Sequence, residues 1–179
     1  MKRKLLNSEL SRLTLNEFAE IEKIPLVVVL DNVRSQHNIG ATFRTADAFK
    51  IEEIVLTGIS AIPPSPEIHK SALGAEFSVK WSYVKDVKDA VDQLALKGYT
   101  IISVEQTENS IMLDKFEPIK GQRYALVFGN EVKGVQQDVV NCSNDVIEIP
   151  QYGTKHSLNI SVSVGVVLWD LVKKIESLG

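Results

Sequence analysis

Short runs of branched apolar residues, separated in most places by segments with helical periodicity, constrain the fold of this chain more than any other feature. Five such runs have the length and composition of buried strands. They begin at Pro25, Glu52, Thr100, Arg123 and Asp145. Because strands and helices alternate along the chain, we predict an α/β fold with a mainly parallel sheet flanked by helices.

In a sheet of this kind, ligands bind beyond the carboxyl ends of the strands. The loops after Asp31, Gly58, Gly129 and Pro150 are therefore the expected location of a functional site. Between the loops after Gly58 and Gly129, residues 84–98 have helical periodicity and end at a glycine. This pattern predicts a helix packed on the sheet.

The size of the chain limits it to one domain. It has 179 residues, of which 44% are hydrophobic, and this suffices for one well-buried core. We predict a domain over residues 25–179, preceded by an N-terminal helical extension over residues 1–24. The single cysteine, Cys142, excludes an intrachain disulfide, and no apolar stretch approaches the ~18 residues of a membrane span. These features predict a cytoplasmic protein without a membrane segment.

The charge of the chain gives no overall footprint for nucleic acid. Its net charge is −3 and its isoelectric point is near 5.7, whereas nucleic-acid-binding domains usually carry a basic balance or a basic stripe. This is a weak argument against RNA or DNA, because a basic patch can be local or assembled across a dimer. The one compact basic run, residues 2–4, is interpreted as a solvated terminus.

The last apolar segment, residues 157–176, is too long for a single strand, although it first alternates apolar and polar residues. We predict a buried helix. Its buried side is expected to hold four large apolar residues, Leu158, Val162, Trp169 and Val172. Its small residues form a second stripe, Ser157, Ser161 and Gly165. That stripe fits ordinary packing against the sheet and a tight subunit interface equally well.

The first candidate for chemistry is the segment HNIGATFRTADAF, residues 37–49. Helical spacing places Phe43 on the core face and Gly40, Arg44 and Asp47 on a neighbouring face. The glycine is expected to clear room beside the arginine. A surface ion pair between Arg44 and Asp47 would explain the same pattern without a function.

Two later strand ends also carry glycine beside polar residues. In LVFGNEVKGV, Gly129 and Gly134 suit a tight loop that a ligand can approach, with Glu131 at its rim. In IPQYGTKHSLNIS, Ser157 and Asn159 stand at a helix start, where both residue types also serve as simple caps.

Neither a phosphate-binding glycine loop nor a metal site accompanies these segments. The first strand is not followed by G-x-G-x-x-G, and a Walker-type loop is absent from the sequence. His37, His69 and His156 lack the spacing of metal ligands and no cysteine cluster accompanies them, so we expect no metal.

Together the three segments resemble the motifs of the SpoU-type (TrmH-like) RNA ribose 2'-O-methyltransferases of the SPOUT superfamily. The matching stretches are NVRSQHNIGATFRTADAF, LVFGNEVKGV and IPQYGTKHSLNISVS, and the intervening HKSALGAE also resembles a recurrent family segment. The resemblance covers roughly residues 25–172 and has the motifs in the family's order. Three ordered motifs are far more specific than any one of them.

The resemblance implies a parallel sheet whose C-terminal part is threaded into a deep trefoil knot, an exception to the rule against knots. It also implies a homodimer that binds S-adenosylmethionine within the knot, near the subunit interface. The implied substrate is RNA, either tRNA or rRNA, and neither a membrane nor a metal is among the implied partners.

Two sets of site residues follow from position in the motifs. The resemblance implies that the cofactor is contacted, mainly by backbone groups, at Gly129, Ile149 and Leu158. It implies a catalytic and RNA-facing cluster of Asn38, Arg44, Glu131, Ser157 and Asn159.

The implied reaction moves a methyl group from a sulfonium to a ribose 2'-hydroxyl, which requires alignment and a partly deprotonated oxygen. The family view makes the matching Arg44 the general base, but a guanidinium is not expected to lose its proton in a protein. Arg44 would then act electrostatically, or become a base with help from an RNA phosphate. Asn38 and Asn159 would orient the arginine and the ribose, Ser157 would hold the nucleotide or the loop, and Glu131 has the least defined role.

Two rival functions remain open at this point. A binding protein of the same fold would hold structured RNA without methylating it, and an α/β small-molecule transferase would not touch RNA. The presence of all five residues of the implied catalytic cluster favours the enzyme over the binding protein.

Overall fold

A computed structural model of the chain describes residues 2–179. Its strands are β1 (Ile24–Asp31), β2 (Ile51–Thr57), β3 (Trp81–Val84), β4 (Tyr99–Val104), β5 (Ile111–Met112), β6 (Arg123–Phe128) and β7 (Asp145–Glu148). Its α-helices are α1 (Leu15–Glu20), α2 (Gln36–Ala48), α3 (Pro66–Ala72), α4 (Ala75–Ser78), α5 (Val87–Leu96), α6 (Gln137–Cys142) and α7 (Ile160–Ser177). Short 3-10 helices lie at Asn7–Glu9 and Leu113–Lys115.

The strands form one parallel sheet in the order β3-β2-β1-β6-β4-β7-β5. This confirms the predicted α/β class with a mainly parallel sheet, and all five predicted strands are present. The sequence interpretation missed β3 and β5. Val84, which was placed on the face of a helix, is the last residue of β3, and the helix begins only at Val87 after its cap, Asp86. The β5 strand is two residues long and has too few positions to show a period.

Both faces of the sheet are covered, which explains why its central strands read as continuous apolar runs. Alternate residues of β1 enter different cores: Leu26 and Val28 pack in the cluster that contains α2, α3 and α7, whereas Val27 and Val29 pack in the cluster that contains α5. On the first side, Phe18 of α1 is buried, and α1 contacts α4.

The last helix was predicted correctly, but its predicted buried side was wrong. Val172 is buried, whereas Val162 and Trp169 are 50% and 57% exposed and Leu158 lies in the loop before the helix. The buried face is instead formed by Ile160, Val164, Val167, Leu168, Leu171 and Val172. Apolar residues surround much of this helix, so its period alone did not identify the side that faces the sheet.

The strand order places four loops side by side at the carboxyl ends of the strands. Leu30 of β1 pairs with Phe128 of β6, and Phe128 pairs with Val104 of β4, which pairs with Ile147 of β7. The segments that follow these strands therefore begin side by side at their carboxyl ends, where a parallel sheet binds ligands. Within residues 2–179, none of the helices combines the length and apolar character needed to cross a membrane.

Candidate functional site

A cavity of about 670 Å³ lies at the carboxyl ends of β4, β6 and β7. This volume is within the range of roughly 300–1,000 Å³ typical of small-ligand pockets. All three predicted cofactor residues line it, together with three of the predicted catalytic cluster: Gly129, Ile149, Leu158, Glu131, Ser157 and Asn159. The structure thus brings together motif segments that lie far apart in the sequence.

The glycines of the second motif allow its backbone to fold onto itself at the cavity wall. Asn130 and Gly134 exchange two backbone hydrogen bonds of 3.0 and 2.9 Å, which close a tight turn. A Cβ atom on Gly129 would lie 2.0 Å from the carbonyl carbon of Gly134 and from the amide nitrogen of Val135. Gly134 itself has a φ of +69°, which favours glycine. The predicted tight loop is confirmed, and its reason is the close approach of two backbone segments.

Glu131, whose role was least defined, joins the second motif to the first. Its Oε2 accepts a hydrogen bond of 3.0 Å from the backbone amide of Arg34, and its Oε1 accepts one of 3.0 Å from the amide of Ser35. Asn38 Nδ2 also donates to Oε1 at 3.4 Å. The carboxylate therefore holds the loop that leads into α2.

The same chain of contacts reaches the third motif. Asn159 Nδ2 donates to Asn38 Oδ1 at 3.2 Å, and Asn159 Oδ1 caps α7 by accepting from the Ser161 amide at 2.9 Å. The buried side chain of Asn38 therefore bonds Glu131 on one side and Asn159 on the other. Asn159 therefore caps the helix, as considered from the sequence. The amide nitrogen of the same side chain also donates to Asn38 of the first motif.

The contacts of Glu131 favour its ionised form. Burial opposes ionisation, but the backbone amides of Arg34 and Ser35 outweigh it and lower the pKa of Glu131 below its ordinary value of 4.5. A carboxylate whose pKa is lowered from its ordinary value is a poor general base near neutral pH. The geometry and the pKa together make Glu131 a residue that positions the first motif.

A Glu131→Gln variant tests this role through stability. Because the folded pKa is depressed, the carboxylate stabilises the protein above pH 4.5 and loses this effect as the pH falls through the lowered pKa. We expect the variant to unfold with about 1 kcal/mol less free energy than wild type at neutral pH, since an amide NH₂ replaces one charged acceptor and the group is partly exposed. In chemical denaturation at a pH below the lowered pKa, where the carboxyl is protonated in both states, the difference should disappear. A gap that persists in acid contradicts the assignment.

Arg44 stands apart from this network. Its side chain is exposed on α2, and it makes no hydrogen bond or ion pair with any other residue that the structure describes. The alternative surface pair with Asp47 is not formed, and Asp47 accepts a hydrogen bond from Ser78. The predicted purpose of Gly40 was also wrong: a Cβ there would lie 2.1 Å from Ser71 Oγ and 2.3 Å from the carbonyl oxygen of Ile68. Gly40 makes room for α3, not for the arginine.

Ser157 lies in an exposed loop, residues 152–159, between β7 and α7. It lines the cavity but makes no side-chain hydrogen bond with the described part of the chain. The hydroxyl is therefore free for a ligand.

The small-residue stripe continues to Gly165, where an added Cβ would meet nothing within 4 Å. Packing against the sheet therefore does not explain this glycine. The subunit interface stays a prediction.

Sequence reasoning missed two acidic residues at the carboxyl ends of the strands. Asp31 is fully buried, and its carboxylate accepts bonds of 2.9 Å from the backbone and side-chain nitrogens of Gln136. Glu105 lines the cavity, and its Oε2 accepts a bond of 3.0 Å from the Val135 amide. Each stands next to or at the end of an apolar strand, and that position was the available signal. Across residues 2–179, no group of three or more histidine, cysteine or acidic side chains could hold a metal ion.

Residues 25–169 match the SpoU rRNA Methylase family. Among curated proteins, the chain is 30% identical over 168 residues to a tRNA (guanosine(18)-2'-O)-methyltransferase of Aquifex aeolicus, covering 92% of this chain and 77% of that protein. It is 28% identical to a 23S rRNA (guanosine-2'-O-)-methyltransferase RlmB of Shewanella oneidensis, covering 91% of this chain and 65% of that protein. The chain spans between 56% and 77% of the length of such relatives.

Solved structures of RNA-modifying enzymes are also similar to this chain. The crystal structure of the A. aeolicus TrmH/SpoU tRNA modifying enzyme has a TM-score of 0.80 and 26% identity, with 91% of this chain and 81% of that chain covered. An AdoMet-bound rRNA methyltransferase from Sinorhizobium meliloti has a TM-score of 0.78 and 25% identity, with 87% and 59% covered. The sequence resemblance and the three-dimensional similarity therefore agree over most of the chain.

Proposed function

This chain belongs to the SpoU rRNA Methylase family, and from that premise we propose that it is an S-adenosylmethionine-dependent methyltransferase acting on a ribose 2'-hydroxyl of tRNA or rRNA. The observation that carries the proposal is the bonded series Glu131, Asn38 and Asn159, which joins one residue from each of the three motifs beside one cavity. A chain that resembled the family only in scattered segments would not be expected to bring these side chains into contact.

The cavity fits the proposed cofactor by size and by lining. Backbone segments approach each other so closely at Gly129 that a Cβ has no room there, and Gly129, Gly134 and Val135 all line the cavity. Apolar side chains at Ile149 and Leu158 form further parts of the wall. When bound, S-adenosylmethionine supplies a methyl group on a sulfonium, which a nucleophilic oxygen can accept. Gly129, Ile149 and Leu158 are the residues that we propose hold it.

The protein's own contribution is alignment and charge. Glu131 and Asn38 hold the loop and the first turn of α2, and Asn159 fixes the start of α7 against them. Positioning of this kind supplies much of the acceleration in a displacement reaction. Arg44, without a partner in the described chain, is a cation available to the RNA. We assign it to stabilise the charge that develops on the ribose oxygen, with an RNA phosphate beside it.

The proposal includes a homodimer formed through the exposed apolar side of α7. Val162, Val166 and Trp169 are at least one-third exposed and, together with Ile149 and Pro150, line an apolar depression of about 550 Å³. An exposed apolar surface of this kind marks an interaction site. It adjoins the first cavity through Ile149, which lines both. A partner subunit seated here would lie next to the proposed cofactor site.

A Val162→Glu variant tests the dimer. Val162 is the third residue of α7, where a glutamate suits the helix dipole, so the single subunit should fold normally. Burying the carboxylate between two subunits is costly, and we expect a monomer by size-exclusion chromatography with light scattering. Leu96→Glu is the matched control, because Leu96 is 89% exposed on α5 at the other face of the sheet. A Val162→Glu dimer as stable as the control would remove this face from the interface.

Three further parts of the proposal rest on family membership. The C-terminal part of the sheet is threaded into the trefoil knot, residues 25–179 form the methyltransferase domain with residues 1–24 as an appendage, and the protein works in the cytoplasm. The relatives named above act on tRNA in one case and on 23S rRNA in the other. Their names support RNA as the substrate class without selecting one RNA.

The decisive experiment maps ribose 2'-O-methylation across total RNA in cells with and without the gene. We expect at least one site to lose its methyl group and to regain it when the purified protein and S-adenosylmethionine are added to RNA from the deleted strain. Loss of no site, combined with failure of the protein to bind labelled S-adenosylmethionine, would overturn the enzyme and favour a protein that only binds RNA.

A further inference from the structure

We propose that Glu105 recognises the cofactor by accepting hydrogen bonds from its ribose hydroxyls. The inference rests on the proposed function, since it assigns a residue to the S-adenosylmethionine site. Glu105 follows Val104, the last residue of β4, and lines the 670 Å³ cavity. In the sheet, β4 lies between β6, which leads into Gly129, and β7, which leads into Ile149. Glu105 is therefore at the centre of the proposed cofactor wall.

The backbone and the side chain of Glu105 are both held in place. Its amide donates to the carbonyl oxygen of Ile147 at 3.0 Å, which continues the pairing of β4 with β7. Oε1 accepts from the Gln106 amide at 2.8 Å, and Oε2 accepts from the Val135 amide at 3.0 Å. The Gly134–Val135 segment approaches so closely that a Cβ on Gly134 would lie 2.1 Å from Oε2. The carboxylate is thus preorganised by backbone donors on two loops.

Acceptor capacity remains on this carboxylate. An ionised carboxylate has about four lone-pair positions, and the described residues occupy only one on each oxygen of Glu105. No lysine, arginine or histidine of the described chain forms an ion pair with it. Both oxygens of Glu105 can therefore accept a further hydrogen bond from a ligand in the cavity.

The surroundings of Glu105 favour a ribose as the donor of this bond. Val104, the preceding residue, pairs with Phe128 on one side and with Ile147 on the other, and all three residues line the cavity, although the side chains of Phe128 and Ile147 are buried in the core. The partly exposed apolar side chains of Ile149 and Leu158 in the same wall suit the flat adenine ring, and the ribose is attached directly to that ring. A carboxylate near a strand end that binds ribose hydroxyls is an established solution for adenosine recognition in α/β sheets. The other donors in the cofactor are the exocyclic amine of adenine, on the far edge of the ring, and the ammonium of the methionine part, at the opposite end of the molecule.

Calorimetric titration with three ligands separates these roles. The ligands are S-adenosylmethionine, 5'-methylthioadenosine, which keeps the ribose but lacks the ammonium, and 2',3'-dideoxy-5'-methylthioadenosine, which lacks both hydroxyls. For Glu105→Gln we expect affinity for the first two ligands to fall about tenfold, as for loss of one charged hydrogen bond. The dideoxy compound should bind wild type and variant equally, because it lacks the ribose hydroxyls that would donate to the carboxylate.

Glu108→Gln is the matched control, since Glu108 is an exposed carboxylate of the same loop and is absent from the cavity lining. It should bind all three ligands like wild type. An equal loss for all three ligands in Glu105→Gln would overturn the inference and make Glu105 a residue that holds the loop or bonds the adenine amine. A loss confined to S-adenosylmethionine would overturn it in favour of the positively charged sulfonium or ammonium.

Wild type alone provides a second measurement that does not depend on folding of the variant. It should bind the dideoxy compound at least about tenfold more weakly than 5'-methylthioadenosine. Equal binding of the two nucleosides would overturn the inference while leaving the proposed function intact. Failure of wild type to bind S-adenosylmethionine at all would instead overturn the proposed function together with the inference.

Discussion

Replacement of Arg44 with alanine is expected to slow methyl transfer at least about a hundredfold while leaving the fold, the dimer and cofactor binding intact. Arg44 is exposed and makes no bond to the described chain, so its removal costs no internal contact. Loss of a group that acts on developing charge typically reduces the rate by two or more orders of magnitude. Single-turnover transfer of a labelled methyl group to RNA, with cofactor affinity measured in parallel, checks both halves of the expectation.

An Arg44→Lys variant shows which property of the arginine matters. Lysine keeps the positive charge but lacks the planar fork of donors that can bind a phosphate and a ribose oxygen together. Partial activity would indicate that charge is the main contribution, whereas activity as low as that of alanine would indicate a need for the fork. Lys97→Ala, which removes an exposed cation at the end of α5, is the control for loss of charge. Near-normal turnover of Arg44→Ala would remove Arg44 from the mechanism.

The second large effect is expected at Gly129. An alanine there places a Cβ 2.0 Å from two backbone atoms of the Gly134–Val135 segment, and backbone cannot move aside as the end of a flexible side chain can. Overpacking of this kind costs typically about 1–3 kcal/mol. Because the displaced segment forms the cavity wall, we expect S-adenosylmethionine to bind about ten- to a hundredfold more weakly.

Calorimetric titration of the cofactor and thermal unfolding measure this loss together. Gly153→Ala is the matched control, since an added Cβ there meets nothing within 4 Å and Gly153 is absent from the cavity lining. Unchanged cofactor affinity in Gly129→Ala would show that the wall accommodates the methyl group, and would separate Gly129 from the cofactor site.

Much of the fold follows from patterns among neighbouring residues. The run of Leu26 to Leu30 is apolar at every position because both faces of β1 are buried, and such a run predicts a central parallel strand. Local patterns failed where they were short or ambiguous. The two-residue β5 shows no period, and the apolar residues around α7 did not reveal that Val162 and Trp169 face away from the sheet.

The sequence by itself determined the class of fold, the three motif segments and, through resemblance, the residues proposed for the site. Only the tertiary structure decided what those residues do. Glu131 holds the amides of Arg34 and Ser35, nearly a hundred residues away, and Gly40 makes room for α3. The physical reason is that periodicity and turn chemistry act between neighbours, whereas hydrogen bonds and close backbone approaches between distant residues depend on the order of strands in the packed sheet.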